Sequence, residues 1–224
     1  MLWSPNTQLH LPFQNTALDY SGNARNGTIN GSGVFATKPS GSRCLYFDGV
    51  GDYVTTPSFS QSGTVIIFSA WVRCKLFTEH QAFFADNGYS TTVGWLFCTR
   101  PANFDALNWQ YANGASVDVH ADDFFKAPYD DTWLHMAIAC DYAGANCYFY
   151  RNASLFASVA MAGTPDFPST ARVKYIGSGN AVPAYPLTEG HLQQVYFGTL
   201  ATMPAAGQML ANVNRLMLGM NPIW

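Results

Sequence analysis

Short apolar runs alternate with turn-forming residues along most of the chain. Typical runs are Cys44–Phe47, Val65–Cys74, Trp133–Cys140 and His191–Phe197, and clusters of Gly, Asn, Asp and Ser separate them. Strands of about 4–8 residues bounded by turn formers are typical of all-β sandwiches and barrels. The run Trp133–Cys140 is apolar at both sets of alternating positions, which predicts a central strand that is buried on both faces.

One helical pattern follows, near the C terminus. Pro204 precedes the segment Ala205–Leu218, in which apolar side chains recur at helical spacing. This stripe consists of Met209, Leu210, Val213, Leu216 and Met217. We therefore expect a β domain over residues 1–202 and a helix with an apolar tail over residues 203–224. Because exposed apolar surface is a liability on a free monomer, the stripe and Trp224 are predicted to dock on the domain or on a neighbouring subunit.

The composition narrows the classes of partner. Charged residues make up only 11% of the 224 residues, and the net charge is −3. Soluble domains average about 25% charged residues, so this surface must be rich in neutral polar groups, which suit sugars or close neighbours in an assembly. The basic residues are scattered, whereas nucleic acid binding needs a basic stripe. No apolar run approaches the roughly 20 residues of a membrane span. We expect neither nucleic acid nor membrane as a partner.

The cysteines indicate a reduced protein. There are five, Cys44, Cys74, Cys98, Cys140 and Cys147, without the C-x-x-C spacing of zinc or redox sites. Residues 1–5 lack the features of a secretory leader, which predicts synthesis and folding in a cytosol, where thiols stay reduced. Cys140 and Cys147 flank a turn and are expected to face each other across a hairpin. The sequence leaves open whether they form a disulfide.

Several segments, taken in order, resemble the laminin-G-like (concanavalin-A-like, pentraxin-type) jelly-roll domains. They are Leu9–Phe13, the loop Asp19–Gly27, the hairpin Cys44–Val54, the strand Phe68–Val72, the start of the Trp133 strand, Tyr148–Asn152 and Gly190–Tyr196. No single segment is specific, but their order and spacing are. The resemblance implies an all-β, two-sheet antiparallel jelly-roll sandwich, here with a short C-terminal helix and tail. A similar ending is found in laminin-G-like proteins encoded among phage structural genes.

Calcium is the candidate cofactor. The resemblance implies a site in the Asp19–Gly27 loop, whose oxygen-bearing side chains are those of Asp19, Ser21, Asn23 and Asn26. Hard cations bind such oxygens. The alternative is an Asx-type turn in which the Asp19 carboxylate accepts hydrogen bonds from nearby amides. Gln193 and Gln194 stand where the family has an Asp-Glu pair. The loss of these two carboxylates weakens the inference that this chain has the family's calcium site.

A catalytic role is disfavoured. Glycosidases need two carboxylates on either side of the scissile bond, and related glucanases carry them on one strand as E-x-D-x-x-E. This chain has only two glutamates, Glu79 and Glu189, and no such strand. It also has no G-x-S-x-G motif, and its five histidines lie in separate segments. The resemblance implies that His135 is a structural core residue.

Glycan binding is the main alternative to a purely structural role. Sugars stack their apolar faces on aromatic rings while amides and carboxylates bond the hydroxyls. The candidates are Trp95, Trp109, Tyr111 and Asn113, because the resemblance places their strands on the concave sheet of the family. Packing in the core remains the alternative for these rings.

Our first hypothesis is a non-enzymatic virion structural protein, part of a phage head or tail. It would contact other virion proteins or its own copies as a homo-oligomer, bind host-surface glycans, and reach the virion after synthesis in the host cytoplasm. The alternative is a free-standing, extracellular carbohydrate-binding lectin module. A glycoside hydrolase ranks third.

Overall fold

A computed structural model describes residues 6–75, 80–86, 94–100, 103–112, 116–162, 171–180 and 185–223. The strands are β1 (Thr7–Leu11), β2 (Thr28–Asn30), β3 (Val34–Thr37), β4 (Arg43–Phe47), β5 (Tyr53–Thr55), β6 (Val65–Arg73), β7 (Ala82–Asp86), β8 (Trp95–Arg100), β9 (Asn103–Ala112), β10 (Ser116–Ala121), β11 (Leu134–Asp141), β12 (Asn146–Arg151), β13 (Ser154–Ala160), β14 (Lys174–Ile176) and β15 (Gly190–Leu200). The helix is α1 (Ala206–Met217).

The strands form two antiparallel sheets. Sheet A has the order β13-β12-β11-β6-β15-β4-β3, with β1 also paired to β15. Sheet B has the order β10-β9-β8-β7-β14-β5-β2. The chain crosses between the sheets after β1, β2, β4, β5, β6, β10, β13 and β14, so neighbours within a sheet are often distant in sequence. The prediction of a two-sheet antiparallel jelly-roll sandwich is confirmed.

The core between the sheets is aromatic. The ring of Phe68 on β6 stacks on those of Phe84 and Phe97 in the opposite sheet, with centroids 5.3 and 5.1 Å apart. Phe84 in turn stacks on Phe197 of β15 at 5.2 Å. Offset aromatic contacts at these separations stabilise a core beyond the area that they bury. They fix which face of each strand points inward.

Strand β11 is the central strand that the sequence predicts. It lies between β12 and β6, and its residues Leu134–Cys140 are all buried. Its outward side chain His135 is bonded to the Ser69 hydroxyl through Nε2 at 2.8 Å. Burial, and secondarily the charge of Lys38, lower the pKa of His135 to about 3. His135 is therefore a neutral structural histidine, as predicted.

Cys140 and Cys147 face each other as expected. They are directly opposite in the β11–β12 register, with their Sγ atoms 2.7 Å apart. Both side chains are buried, and all five cysteines are free thiols in this structure. Burial raises the pKa of the Cys140 thiol, so the thiol is protonated at neutral pH.

Helix α1 packs on the outer face of its own sheet A. Its buried side chains Met209, Val213 and Leu216 contact a cluster that includes Ile67 and Ala139. Of the two docking surfaces that the sequence left open, the chain's own domain and a neighbouring subunit, these three side chains use the first and are not available as assembly contacts. The reason is that β6 and β11 present apolar side chains on both faces, and the helix covers the outer one.

Hydrogen bonds fix the C-terminal end of the helix to sheet A and fix the tail to the helix. The indole Nε1 of Trp71 donates to the Met217 carbonyl at 2.9 Å, and Asn212 exchanges two hydrogen bonds with the backbone of Ile223. Leu210 stays exposed, Met217 is half-buried, and Trp224 lies outside the described residues. Within the described part of the chain, no helix is both long and apolar enough to cross a membrane.

Candidate functional site

The aromatic candidates on β8 and β9 lie in the core. Trp95 and Trp109 are completely buried, and Tyr111 is 1% exposed. The rings of Trp109 and Tyr111 are 4.6 Å apart, and both residues belong to the cluster between the sheets. No sugar can stack on these rings in this structure, so the prediction that they bind glycan is wrong. Asn113, the fourth candidate, lies outside the described residues.

The opposite face of the same strands is polar. Because side chains alternate along a strand, the inward Leu107, Trp109 and Tyr111 place Asn108 and Gln110 on the outer face of sheet B. The neighbouring strand β10 aligns Asp118 with Gln110 and His120 with Asn108. We call the side chains of Asn108, Gln110, Asp118 and His120 the polar face.

Both amides on the polar face bind the same carboxylate oxygen. Asn108 Nδ2 donates to Asp118 Oδ1 at 3.2 Å, and Gln110 Nε2 donates to that atom at 2.7 Å. Asp118 itself is exposed, whereas Asn108 is 0% and Gln110 is 6% exposed. The carboxylate therefore lies at the solvent side of two buried amides, and its contacts fix their orientation.

The two amide oxygens have no donor. Asn108 Oδ1 and Gln110 Oε1 are buried without a hydrogen-bond partner. Leaving a buried acceptor unsatisfied costs about 1–3 kcal/mol, and such groups are uncommon in native proteins. Because these oxygens are enclosed, a ligand on the outer face reaches the exposed Asp118 carboxylate that the amides hold, and not the amide oxygens. Hydroxyl groups are suitable donors to that carboxylate.

The groups that flank the polar face are uncharged at neutral pH. His80 lies with its Nε2 4.0 Å from the Cys98 Sγ, and burial lowers the pKa of His80 to about 4 despite the nearby Asp118 charge. Burial also raises the pKa of the Cys98 thiol well above its usual range. Asp118 is then the group that brings charge to this part of the face.

The outer face becomes apolar and aromatic towards β14 and β5. Residues that pair across neighbouring strands form a row along this face. From β10 to β14 the row consists of Asp118, Gln110, Leu96, Ala85 and Tyr175. The ring of Tyr175 lies 6.0 Å from that of Tyr53 on β5. The face thus combines hydrogen-bonding groups at one end with two tyrosines at the other.

A sequence signal for the polar face exists in β9. The segment Leu107-Asn108-Trp109-Gln110-Tyr111 alternates strictly between large apolar and amide side chains. Sequence reasoning chose the aromatic residues of this strand, which face the core, instead of the amides. Since the larger apolar set of a half-buried strand faces the core, this alternation indicates the amides as the outward residues.

The predicted calcium loop is a self-contained turn. Asp19 Oδ1 accepts hydrogen bonds from the amides of His10 and Ser21 at 3.0 and 2.9 Å. Its Oδ2 accepts from the Ser21 hydroxyl at 2.7 Å and from the Arg25 amide at 2.9 Å. The Asn26 side-chain oxygen accepts from the Asp19 amide at 2.9 Å.

These contacts do not fit a calcium ion. Both Asp19 oxygens face N–H or O–H donors, and the Asn23 amide nitrogen donates to the Thr7 carbonyl at 2.9 Å. A cation would have to displace these donors, so the structure favours the Asx-type turn over the calcium site. Among the described residues, no cluster of three or more His, Cys, Asp or Glu side chains could hold a metal ion.

The two sheets and their shared aromatic core define a jelly-roll sandwich domain of the concanavalin A type. A family model described as the concanavalin A-like lectin/glucanases superfamily, of the laminin G type, matches residues 48–199. The chain belongs to this family, as the sequence resemblance implied. Among curated proteins, none matches the chain by sequence.

Solved structures share the fold. Domain 4 of an extracellular arabinanase from Geobacillus stearothermophilus, in complex with arabinotriose, aligns with a TM-score of 0.73 at 17% identity, over 94% of this chain and 98% of that one. The binding domain of botulinum neurotoxin serotype D aligns with a TM-score of 0.69 at 14% identity, over 96% of this chain. That of botulinum neurotoxin DC in complex with SialylT has a TM-score of 0.69 at 12% identity, over 95% of this chain.

The coverage of these relatives differs. The chain spans 52% of the length of each of these two botulinum neurotoxin binding domains, so it corresponds to about half of them. It spans nearly all of the arabinanase domain. The two botulinum neurotoxin structures are binding domains, and the arabinanase domain has arabinotriose bound. At these identities the likeness shows the fold alone.

Proposed function

We propose that the chain is a non-catalytic carbohydrate-binding module whose ligand site is the polar face of sheet B. The observation that carries the proposal is the exposed Asp118 carboxylate, which accepts hydrogen bonds from the buried amides of Asn108 and Gln110 and is held in one orientation by them. Sugar hydroxyls donate to this carboxylate, which a purely apolar ligand does not do.

Two further observations support this proposal. Asp118 is the one carboxylate at the described outward positions of β7 to β10, whereas glycoside hydrolysis uses a pair. The structurally similar arabinanase domain has arabinotriose bound, and one botulinum binding domain has SialylT bound. Both favour binding over catalysis for a domain of this shape.

The first prediction concerns Gln110. We expect Gln110→Ala to weaken oligosaccharide binding about tenfold, because the Asp118 carboxylate loses the shorter of the two amide hydrogen bonds that fix its orientation. Isothermal titration calorimetry on the full chain would measure this, beginning with arabinotriose and continuing with ligands found on a glycan array. Thermal unfolding measured in parallel would show that the fold is retained.

The matched control is Gln208→Ala. Gln208 lies on the exposed side of α1, where its amide makes one long contact of 3.4 Å to the Ile223 carbonyl. This variant should bind like the unaltered chain. A flat response on the glycan array and to arabinotriose, or equal binding by Gln110→Ala and the unaltered chain, would refute the polar face as a carbohydrate site.

A second candidate function is a phage virion structural protein, which assembles with its own copies or with other virion proteins. The observation that favours it is an apolar surface at the end of α1 and in the tail. Leu218 is 63% and Ile223 is 65% exposed, and Met220 and Leu210 add 44% and 42%. A monomer rarely exposes several large apolar side chains together without a partner.

This second candidate predicts a defined oligomer. Light scattering after size-exclusion chromatography should give a multiple of the 24.5 kDa chain, and Leu218→Ser combined with Ile223→Ser should give the monomer. Because both side chains are exposed, the double variant should unfold at an unchanged temperature. A full-length monomer that does not sediment with phage particles would argue against a virion role.

A further inference from the structure

A second group of rings lies on the outer face of sheet A, beside the C-terminal end of α1. We call it the aromatic surface, and it consists of Tyr46, Trp71, Trp133 and His191. The ring of His191 lies 4.8 Å from that of Tyr46 and 5.8 Å from that of Trp133. All four side chains are half-buried, whereas Trp95 and Trp109 are completely enclosed.

A lysine from the β3–β4 turn is held against the aromatic surface. The ammonium Nζ of Lys38 lies 4.1 Å from the ring centroid of Trp133 and 4.4 Å from that of Trp71. It also donates a hydrogen bond to Gln193 Oε1 at 3.0 Å, and Gln193 Nε2 donates to the Arg43 carbonyl at 2.6 Å. Cation–π contacts and a fixed amide thus hold the ammonium in one place.

Lys38 has no carboxylate partner among the described residues. Two other cations in this region do have one, Arg73 with Asp131 at 3.0 Å and Lys75 with Glu189 at 3.3 Å. Partial burial lowers the pKa of Lys38, which shows that its charge is incompletely solvated. A cation that has lost part of its water and lacks a counter-ion attracts an anion more strongly than a fully exposed lysine does.

We propose that the aromatic surface and Lys38 form a second ligand site, on the opposite side of the sandwich from the polar face, which takes a carboxylated saccharide. The sugar ring stacks on the exposed parts of the Trp133 and His191 rings, and its carboxylate accepts a hydrogen bond from Lys38 Nζ. A single unpaired ammonium matches one carboxylate, whereas a polyphosphate or nucleic acid calls for a cluster of cations. This site does not depend on the polar face being a ligand site.

The test compares saccharides that differ only in charge. Calorimetry on the full chain would use trigalacturonic acid and sialyllactose, each compared with its own methyl ester. We expect at least one acid to bind about tenfold or more tightly than its neutral counterpart, because a charge-assisted hydrogen bond is lost. The first pair reports uronic acids and the second reports sialic acids. Added salt should weaken the binding of the acid.

Substitutions of Lys38 and Trp133 then test whether the acid binds at the aromatic surface. Lys38→Met keeps the apolar stem over the tryptophans but removes the charge, and we expect it to weaken acid binding about tenfold, whereas Lys38→Arg should restore most of the affinity. Trp133→Ala should weaken binding about fivefold through lost stacking. Lys126→Met is the matched control, since Lys126 is an exposed lysine paired with Asp123 on another surface.

The outcomes separate the two ligand sites. Gln110→Ala should leave acid binding unchanged, so loss of neutral sugar binding in that variant concerns only the polar face. If neither acid binds, if the neutral counterparts bind equally well, or if Lys38→Met binds like Lys126→Met, the proposed site is overturned. None of these results alters the test of the polar face.

Discussion

Trp109→Ala is expected to lower the free energy of unfolding by about 3–5 kcal/mol. The Trp109 side chain is completely buried between the sheets, where its ring contacts those of Tyr111 at 4.6 Å, Tyr142 at 5.5 Å and Phe97 at 6.5 Å. Alanine removes the transfer free energy of the indole and leaves a cavity that the rigid sheet cannot close. Urea denaturation followed by circular dichroism would measure the change.

Comparison with the next residue makes this prediction specific. Gln110→Ala lies on the outer face of the same strand and removes no core packing, so we expect it to change stability by much less than Trp109→Ala. The effects on ligand binding should be reversed. Gln110→Ala should weaken binding by the folded protein, whereas Trp109→Ala should reduce binding only by the fraction of protein that is unfolded. A stably folded Trp109→Ala variant with specifically lost sugar binding would contradict the core position of Trp109 and show that the indole contacts ligand.

Lys174→Met is expected to destabilise the protein by about 3–5 kcal/mol. Lys174 is 1% and Asp86 is 0% exposed, and Lys174 Nζ lies 2.7 Å from Asp86 Oδ1. The ammonium also donates to the carbonyls of Phe59 at 3.2 Å and Arg172 at 3.1 Å. Removing it leaves a buried carboxylate whose remaining cation, Arg172 Nη1, is 3.6 Å away from Oδ2. Chemical denaturation would measure the loss.

Two control variants test whether the unpaired carboxylate of Asp86 causes the loss of stability. Asp86→Leu combined with Lys174→Met removes both charges, and we expect it to be more stable than Lys174→Met alone, because the penalty arises from the unpaired carboxylate. Lys126→Met breaks the exposed pair with Asp123 and should cost at most about 1 kcal/mol. If the single and double variants were equally unstable, lost packing and not the unpaired charge would be responsible.

The candidate site was predicted only in part. The sequence indicated β8 and β9 as the relevant strands, but it assigned ligand contact to Trp95, Trp109 and Tyr111, which are core residues. Both faces of β8 are largely apolar, with Trp95, Leu96, Phe97 and Cys98 all buried, so local pattern does not say which face points inward. The position of sheet A decides this.

The calcium candidates and the apolar stripe illustrate the same limit. An Asp-Ser-Asn loop suits either a cation or its own amides, and the choice depends on His10 and Arg25 reaching Asp19. The amphipathic pattern of α1 predicts that its apolar stripe is buried, but it does not predict which surface covers the stripe. The outer face of β6 and β11 supplied that surface within the chain.

The sequence by itself determined the all-β class, the central strand β11 and the C-terminal helix, because strand alternation, turn residues and helical periodicity are local properties of the chain. Tertiary structure alone decided which residues meet across the crossovers. Lys38 reaches Trp71 and Trp133, and Asp86 meets Lys174, through strands that are neighbours in space and distant in sequence. Sites built from such contacts leave no local pattern, because their geometry depends on the register and packing of the two sheets.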